Sequence, residues 1–481
     1  MLPVARTVSR PEVEQASACQ SDLARDPEEA LSSRQNSWQP VLAGDLAVQA
    51  TRAALDASAR LVAPSEAEKA AAAAVAQTAF PRSTHWVPYT IGQGYAGLAI
   101  LWAYLDACFP GQDWDLTGKH HLTLAARGAE HGPTPPPGLF SGLSGLAFSA
   151  VQLSREGARY GRLLATLDET ISQAAATLSA SVRAQPGGVT VGEFDAISGL
   201  SGIGAYLLCR TRQPAAADAL RQVAEALVHL TVEDHGLPRW HTPAHLLWSE
   251  GKEAYPHGNL NCGLAHGVPG ILVFLALAHD AGVDVPGLPQ AISRTADWLC
   301  ANRFDDERGV NWPTAVPLIA ADTGLRGAPA PSAPDGPSRC AWCYGSPGIA
   351  RALWLAGQAL DRDDYRDLAI DAMQAVFHRP VPERRIGSPT FCHGVAGLLA
   401  ITLRFANETG LPVFFEHSRV LVRQILEHYR PDSMLGFRNL EIPDHEIDQP
   451  GLLEGSPGIA LVLLAAATNV EPTWDRLFLL S

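Results

Sequence analysis

The chain has 481 residues, 47% of them hydrophobic and 18% charged, which allows a large buried core and excludes wholesale disorder. Its net charge of −14, with no basic run, makes nucleic acid and anionic membrane surfaces poor partners and leaves a cationic peptide open. The longest apolar runs, such as ILVFLALA and IALVLLAAA, fall far short of the roughly 18 residues a membrane span needs.

Residues 1–40 are rich in Ser, Arg, Glu and Gln and are expected to form a loose tail. Their first stretch, MLPVARTVSRPEVEQ, has no apolar signal-peptide core, so a cytoplasmic protein is expected. Helix then begins, for example at PSEAEKAAAAAVAQTAF, where Ser65 is the expected cap and the alanines favour helix.

From there the chain repeats itself. Gly-x-x-Gly followed by an apolar stretch recurs in QGYAGLAILWAYL, SGLSGLAFSAVQL, SGLSGIGAYLLC, HGVPGILVFLALA, YGSPGIARALWLA, HGVAGLLAITLRF and EGSPGIALVLLAA. The first glycines are Gly94, Gly142, Gly199, Gly267, Gly345, Gly394 and Gly455. Each copy continues apolar nearly all round, as a buried helix does. Amphipathic segments lie between, such as AADALRQVAEALVHL and AISRTADWLC, which suit half-exposed outer helices. Pro269, Pro347 and Pro457 stand where a first helical turn tolerates proline, and the glycines permit close backbone approach.

This pattern predicts an all-α fold over residues 41–481: an α/α toroid of seven inner and seven outer helices. A linear solenoid of stacked hairpins is the architectural rival. The residue before each first glycine is polar: Gln93, Ser141, Ser198, His266, Tyr344, His393 and Glu454. In a ring, these seven side chains converge on one end of the axis, where a site is expected.

Cys343 and Cys392 each stand two residues before their glycine, and His393 follows Cys392. Eight cysteines are too sparse for a disulfide scaffold; in a reducing compartment they suit ligands, catalysts or core residues. Two thiolates and an imidazole from neighbouring helix entrances can bind zinc as three tetrahedral ligands with one position open. The alternative is that both cysteines are small core residues. Cys340 forms CAWC with Cys343, without the βαβ context of a thioredoxin-like pair. It remains open as a fourth ligand, with Cys262 a weaker candidate.

SRCAWCYGSPG, FCHGVAG, NLNCGLAHGVPG and FDAISGLSG resemble the motifs of the lanthionine synthetase C-like family, the cyclases of class I lantibiotics such as nisin. The likeness spans roughly residues 85–470. It implies an α/α toroid holding zinc through Cys343, Cys392 and His393. It also implies functional roles for Asp195, His266, Arg339 and Tyr344. The activity implied is Michael-type addition of a peptide cysteine to dehydroalanine or dehydrobutyrine, on a dehydrated precursor peptide. A dehydratase and an export transporter are the implied partners, with membrane association only through them.

On that reading His266 exchanges protons with the enolate carbon or the thiol, and Arg339 stabilises enolate charge. Tyr344 donates to substrate or to His266. Asp195 either orients His266 or the substrate, or caps an inner helix. Glu454 is read as polar wall alone. The long tail, the Pro/Ala-rich LRGAPAPSAPDGPS loop, Cys340 and Cys262 depart from the family pattern. A prenyltransferase would need a carboxylate ligand and a basic diphosphate pocket. A glycosidase would pair carboxylates such as Asp195 and Glu454. A non-catalytic thiol- or glutathione-binding protein of this fold is the alternative outside enzymes.

Overall fold

A computed structural model describes residues 38–131, 134–321, 324–327 and 338–481. Residues 1–37 of the expected tail, and most of the Pro/Ala-rich loop, lie outside the described residues. Trp38 is buried, and its indole N–H donates to the Ala465 carbonyl at 2.8 Å.

In chain order, α1 (Gly44–Ala59) and α2 (Pro64–Gln77) precede the repeats. Pro64 takes the first turn of α2 and Ala63 its cap, so Ser65 lies inside the helix and caps nothing. Then follow α3 (Tyr95–Cys108), α4 (Trp114–Glu130), α5 (Leu143–Gln152), α6 (Gly161–Ala184), the one-turn α7 (Val191–Phe194), α8 (Leu200–Leu208) and α9 (Pro214–Leu230). The second half comprises α10 (Ser249–Ala254), α11 (Val268–Asp280), α12 (Leu288–Ala301), α13 (Ser346–Ala359), α14 (Asp363–His378), α15 (Val395–Thr409), α16 (Pro412–Glu427) and α17 (Ser456–Ala467).

The seven apolar helices α3, α5, α8, α11, α13, α15 and α17 each begin at a Gly-x-x-Gly and pack side by side. Every residue from Val268 to Ala278 is buried, as is every residue from Ser456 to Ala466. The partners α4, α6, α9, α12, α14 and α16 cover them outside. Helix α9 shows the expected stripe, buried at Ala216, Ala219, Leu220, Val223, Ala224 and Leu227. The seventh outer helix is α1, which packs on α17, so the ring borrows its last outer element from before the first repeat.

The ring is closed, which excludes the solenoid: α17 packs on α3. A circle of backbone hydrogen bonds runs through the loops ahead of the glycines. The N–H of Ile91 donates to Phe140 O (3.0 Å), and that of Phe140 to Ile197 O (3.0 Å). Ala196 donates to Ala265 O (3.0 Å), Ala265 to Cys343 O (3.2 Å), and Cys343 to Cys392 O (3.3 Å). Cys392 donates to Leu453 O (3.0 Å), and Leu453 returns to Gly92 O (3.5 Å).

The chain after α17 does not add an outer helix. It turns inward, and Thr473–Phe478 with Leu479 and Leu480 fills the middle of the ring. Phe478 stacks on Phe391 (centroids 3.6 Å apart) and meets Trp342 edge-on at 5.1 Å. The Arg404 guanidinium pairs with Asp475 at 2.6 Å, and Arg351 donates to the Leu480 carbonyl at 2.8 Å.

Short strands, none of them expected, decorate the connections. Hairpins form from β1 (Glu233–Asp234) with β2 (Leu237–Pro238) and β5 (Phe304–Asp306) with β6 (Gly309–Asn311). A four-stranded antiparallel sheet in the order β3-β4-β7-β8 joins Thr242–Pro243, Gly258–Asn261, Ala315–Ala321 and Gly324–Gly327. β9 (Asn439–Ile442) and β10 (His445–Ile447) form a hairpin beside the sixth repeat's loop. Among the described residues, no helix is long and apolar enough to cross a membrane.

The repeat glycines are dictated by space. A Cβ on Gly97 would lie 2.2 Å from the Ile91 carbonyl oxygen, and one on Gly397 2.1 Å from that of Phe391. Gly345 is the extreme case, with φ 109° and a would-be Cβ 1.6 Å from Arg339 O. Gly410 also has positive φ but open space around it. Gly410→Ala should therefore cost about 1–2 kcal/mol, and Gly345→Ala more than the roughly 1–3 kcal/mol of backbone strain alone. Urea midpoints of the two variants make the comparison; equal losses would contradict the steric account.

Candidate metal centre and its rim

Because Cys343 N–H bonds to Cys392 O, the two cysteine-bearing loops are held shoulder to shoulder. The Sγ atoms of Cys343 and Cys392 and a ring nitrogen of His393 all lie within 4.8 Å of one another. Cys343 Sγ and His393 Nδ1 are 4.0 Å apart. The hydrogen bond between the thiols pulls Cys343 well down, against burial and with help from His393; Cys392 is pushed well up. Burial pulls the His393 imidazole down, but Cys343 and Glu454 outweigh it and hold the value at about 10.

Two soft sulfurs and one imidazole are the donors that zinc prefers over magnesium or calcium. Among the described residues no carboxylate belongs to the cluster, so the ligand set a prenyltransferase requires is not seen there. Neither Cys340 nor Cys262 belongs to it. Both are buried thiols, pushed up by burial to about 11 and about 12 respectively. Cys262 Sγ donates to the Leu260 carbonyl at 3.6 Å. All seven described cysteines are free.

The neighbouring repeats bring His266 and Asp195 together. His266 Nδ1 lies 2.7 Å from Asp195 Oδ2, with the imidazole 38% exposed and the carboxylate 3%. The other carboxylate oxygen accepts the backbone N–H groups of Ile197 (3.1 Å), Ser198 (2.7 Å) and Gly199 (2.9 Å). Asp195 thus braces the turn that leads into α8 and also contacts His266, but it does not cap that helix, whose N-cap is Gly199. Burial opposes charge on His266, and the Asp195 carboxylate more than offsets it, so the pKa is raised. The Cys343 charge also reaches His266.

Tyr344 stands beside His266, with ring centroids 6.2 Å apart. Its hydroxyl accepts from Asn261 Nδ2 at 3.0 Å, and burial pushes its pKa up to about 12. Asn261 was not singled out from sequence. Its Oδ1 accepts the Gly263 N–H at 2.9 Å, which turns its amide nitrogen toward the phenol. Tyr344 is therefore left with its own proton to donate elsewhere.

Arg339 is half-buried and makes no hydrogen bond or ion pair among the described residues. It lines a cavity of about 1180 Å³ with His393, Arg385, Ser388, Arg438 and the β9–β10 hairpin. Glu454 is not mere wall: its Oε1 lies 3.2 Å from His393 Nε2. Asp195 contacts His266, and Glu454 contacts His393, so each of the two carboxylates is coupled to a histidine.

Residues 85–479 match the family described as lanthionine synthetase C-like protein. The nisin biosynthesis protein NisC of Lactococcus lactis subsp. lactis is 30% identical over 351 residues, 71% of this chain and 77% of that protein. A solved structure of nisin cyclase superposes with a TM-score of 0.69 at 26% identity, covering 82% of this chain and 93% of its own. Sequence, ring and relatives agree: the chain belongs to the lanthionine synthetase C-like family.

Proposed function

We propose that the chain is a zinc-dependent cyclase closing lanthionine and methyllanthionine rings in a dehydrated precursor peptide. The observation that carries this reading is the open cluster of Cys343, Cys392 and His393 on the same rim as the His266–Asp195 pair. When bound by those three residues, zinc would deprotonate a coordinated thiol that is otherwise only a few per cent ionised at pH 7, a gain of roughly 30-fold or about 2 kcal/mol. That gain is small beside typical enzymatic accelerations, so positioning and charge stabilisation must supply the rest.

The chain's own residues are suited to that work. The reaction forms one C–S bond and one C–H bond at the alkene and consumes one S–H, so nothing is released. His266, held by buried Asp195, takes a proton in one half of the reaction and returns it to the α-carbon in the other. Arg339, without a hydrogen-bond or ion-pair partner among the described residues, faces the negative charge that develops on the enolate oxygen. Tyr344 keeps its proton and donates a hydrogen bond to that same oxygen, because Asn261 already occupies its oxygen as a donor. The cavity beside Arg339 and His393 accommodates the peptide flanking the reacting residues. The substrate must arrive already dehydrated, so a dehydratase acts earlier, and an export transporter is read as a further member of a biosynthetic assembly.

Metal analysis should return one zinc per chain, and Cys343→Ala and Cys392→Ala should each abolish it. Zinc retained by both variants would remove the ligand assignment. Incubation with a dehydrated precursor should consume free thiols with no change in peptide mass; an unchanged thiol titre would point to a thiol-binding protein without cyclase activity. His266→Ala should keep its zinc and lose about 10²–10⁴-fold in rate. A loss below tenfold would remove His266 from proton transfer.

A further inference from the structure

The two ring nitrogens of His393 have different neighbours. Nδ1 faces Cys343 Sγ at 4.0 Å, and Nε2 faces Glu454 Oε1 at 3.2 Å. We propose that Glu454 is a positioning residue for the metal centre. Its carboxylate accepts the Nε2–H of His393, selects the tautomer whose lone pair is on Nδ1, and aims that lone pair at the two thiols. The inference rests on the metal-binding role proposed above for Cys343, Cys392 and His393.

Three observations support it. Glu454 holds the polar position of the seventh repeat, and Leu453, its neighbour, accepts the Cys392 N–H at 3.0 Å. The same backbone circle that joins the two thiol loops therefore sets the carboxylate beside His393. Glu454 makes no other hydrogen bond or ion pair among the described residues, so it has no competing structural task. The contact is shielded, with side chains 34% and 26% exposed, which strengthens it relative to an open surface pair.

The physical reason is that a neutral imidazole offers one lone pair, on whichever nitrogen lacks the proton. Without an acceptor at Nε2 the ring is free to rotate or to place its proton on Nδ1, and both arrangements withdraw the third ligand. A carboxylate in hydrogen-bond contact also makes the imidazole a more basic donor, and loss of such a partner typically costs 10- to 100-fold in metal affinity.

The test uses the full chain as Glu454→Ala, Glu454→Gln and Glu454→Asp. Zinc dissociation constants come from competition with a chromophoric chelator, and ligand geometry from the absorption spectrum of the cobalt(II)-loaded proteins. Metal-free thermal midpoints give a separate measure of folding. Glu454→Ala should bind zinc about 10- to 100-fold more weakly and shift the cobalt spectrum, at a nearly unchanged metal-free midpoint. Glu454→Gln keeps the acceptor without the charge and should fall between; Glu454→Asp should recover part of the affinity. If Glu454→Ala does not fold, the near-isosteric Glu454→Gln decides on the same readouts. Zinc affinity within twofold of the wild type, with the same cobalt spectrum, overturns the proposal while leaving the metal site standing. A wild-type chain that binds neither metal overturns both.

Discussion

Seven backbone hydrogen bonds, one between each loop and the next, hold this structure in register. Each is worth only about 1 kcal/mol on its own. Their consequence is geometric, because they run through equivalent positions and return from Leu453 to Gly92. Residues two or three places before each glycine are thereby set beside their counterparts in the next repeat. Cys343 and Cys392 become neighbours although 49 positions separate them in the chain. The glycines follow from the same constraint, since the loops fold so closely over the helix starts that a side chain has no room.

Beneath that circle, the C-terminal segment supplies what the ring cannot supply itself. Seven helices around an axis leave a hole, and Phe478, Leu479 and Leu480 occupy it. Phe478 lies against Trp342 and Phe391, the residues immediately before Cys343 and Cys392. The floor beneath the Cys343–Cys392–His393 group is therefore aromatic and closely packed. The buried Arg404–Asp475 pair would be costly to desolvate if isolated. Here it is bidentate, with Nε and a second guanidinium nitrogen meeting both carboxylate oxygens, and it anchors the inserted segment.

The rim divides its polar residues into couples formed across repeats: Asp195 with His266, Asn261 with Tyr344, Glu454 with His393. Each couple joins residues from two different repeats by a side-chain contact. Arg339 stands outside this scheme, lining the cavity with no hydrogen-bond or ion-pair partner among the described residues. His266, Tyr344 and His393 were legible in the motifs, whereas the contacts that Asn261 and Glu454 make with two of them join separate repeats and were not. Asp195 was legible because it lies in a motif of its own, but the partners of its two carboxylate oxygens emerged only in the folded chain.

By itself the sequence determined the number of inner helices, their shared starting point and the class of chemistry at their mouths. Those properties are local: glycine spacing, apolar runs and residue types within one repeat. Closure of the ring, the choice of α1 as seventh outer helix, and the inward turn of the last residues depended on contacts between segments hundreds of residues apart. The same holds for the exclusion of Cys340 from the Cys343–Cys392–His393 group. Cys340 and Cys343 are close in sequence, yet Cys340 lies in the buried core, outside the group that Cys343 forms with Cys392 and His393. Which side of a loop meets its neighbour is a property of the closed ring, and only the tertiary structure decides it.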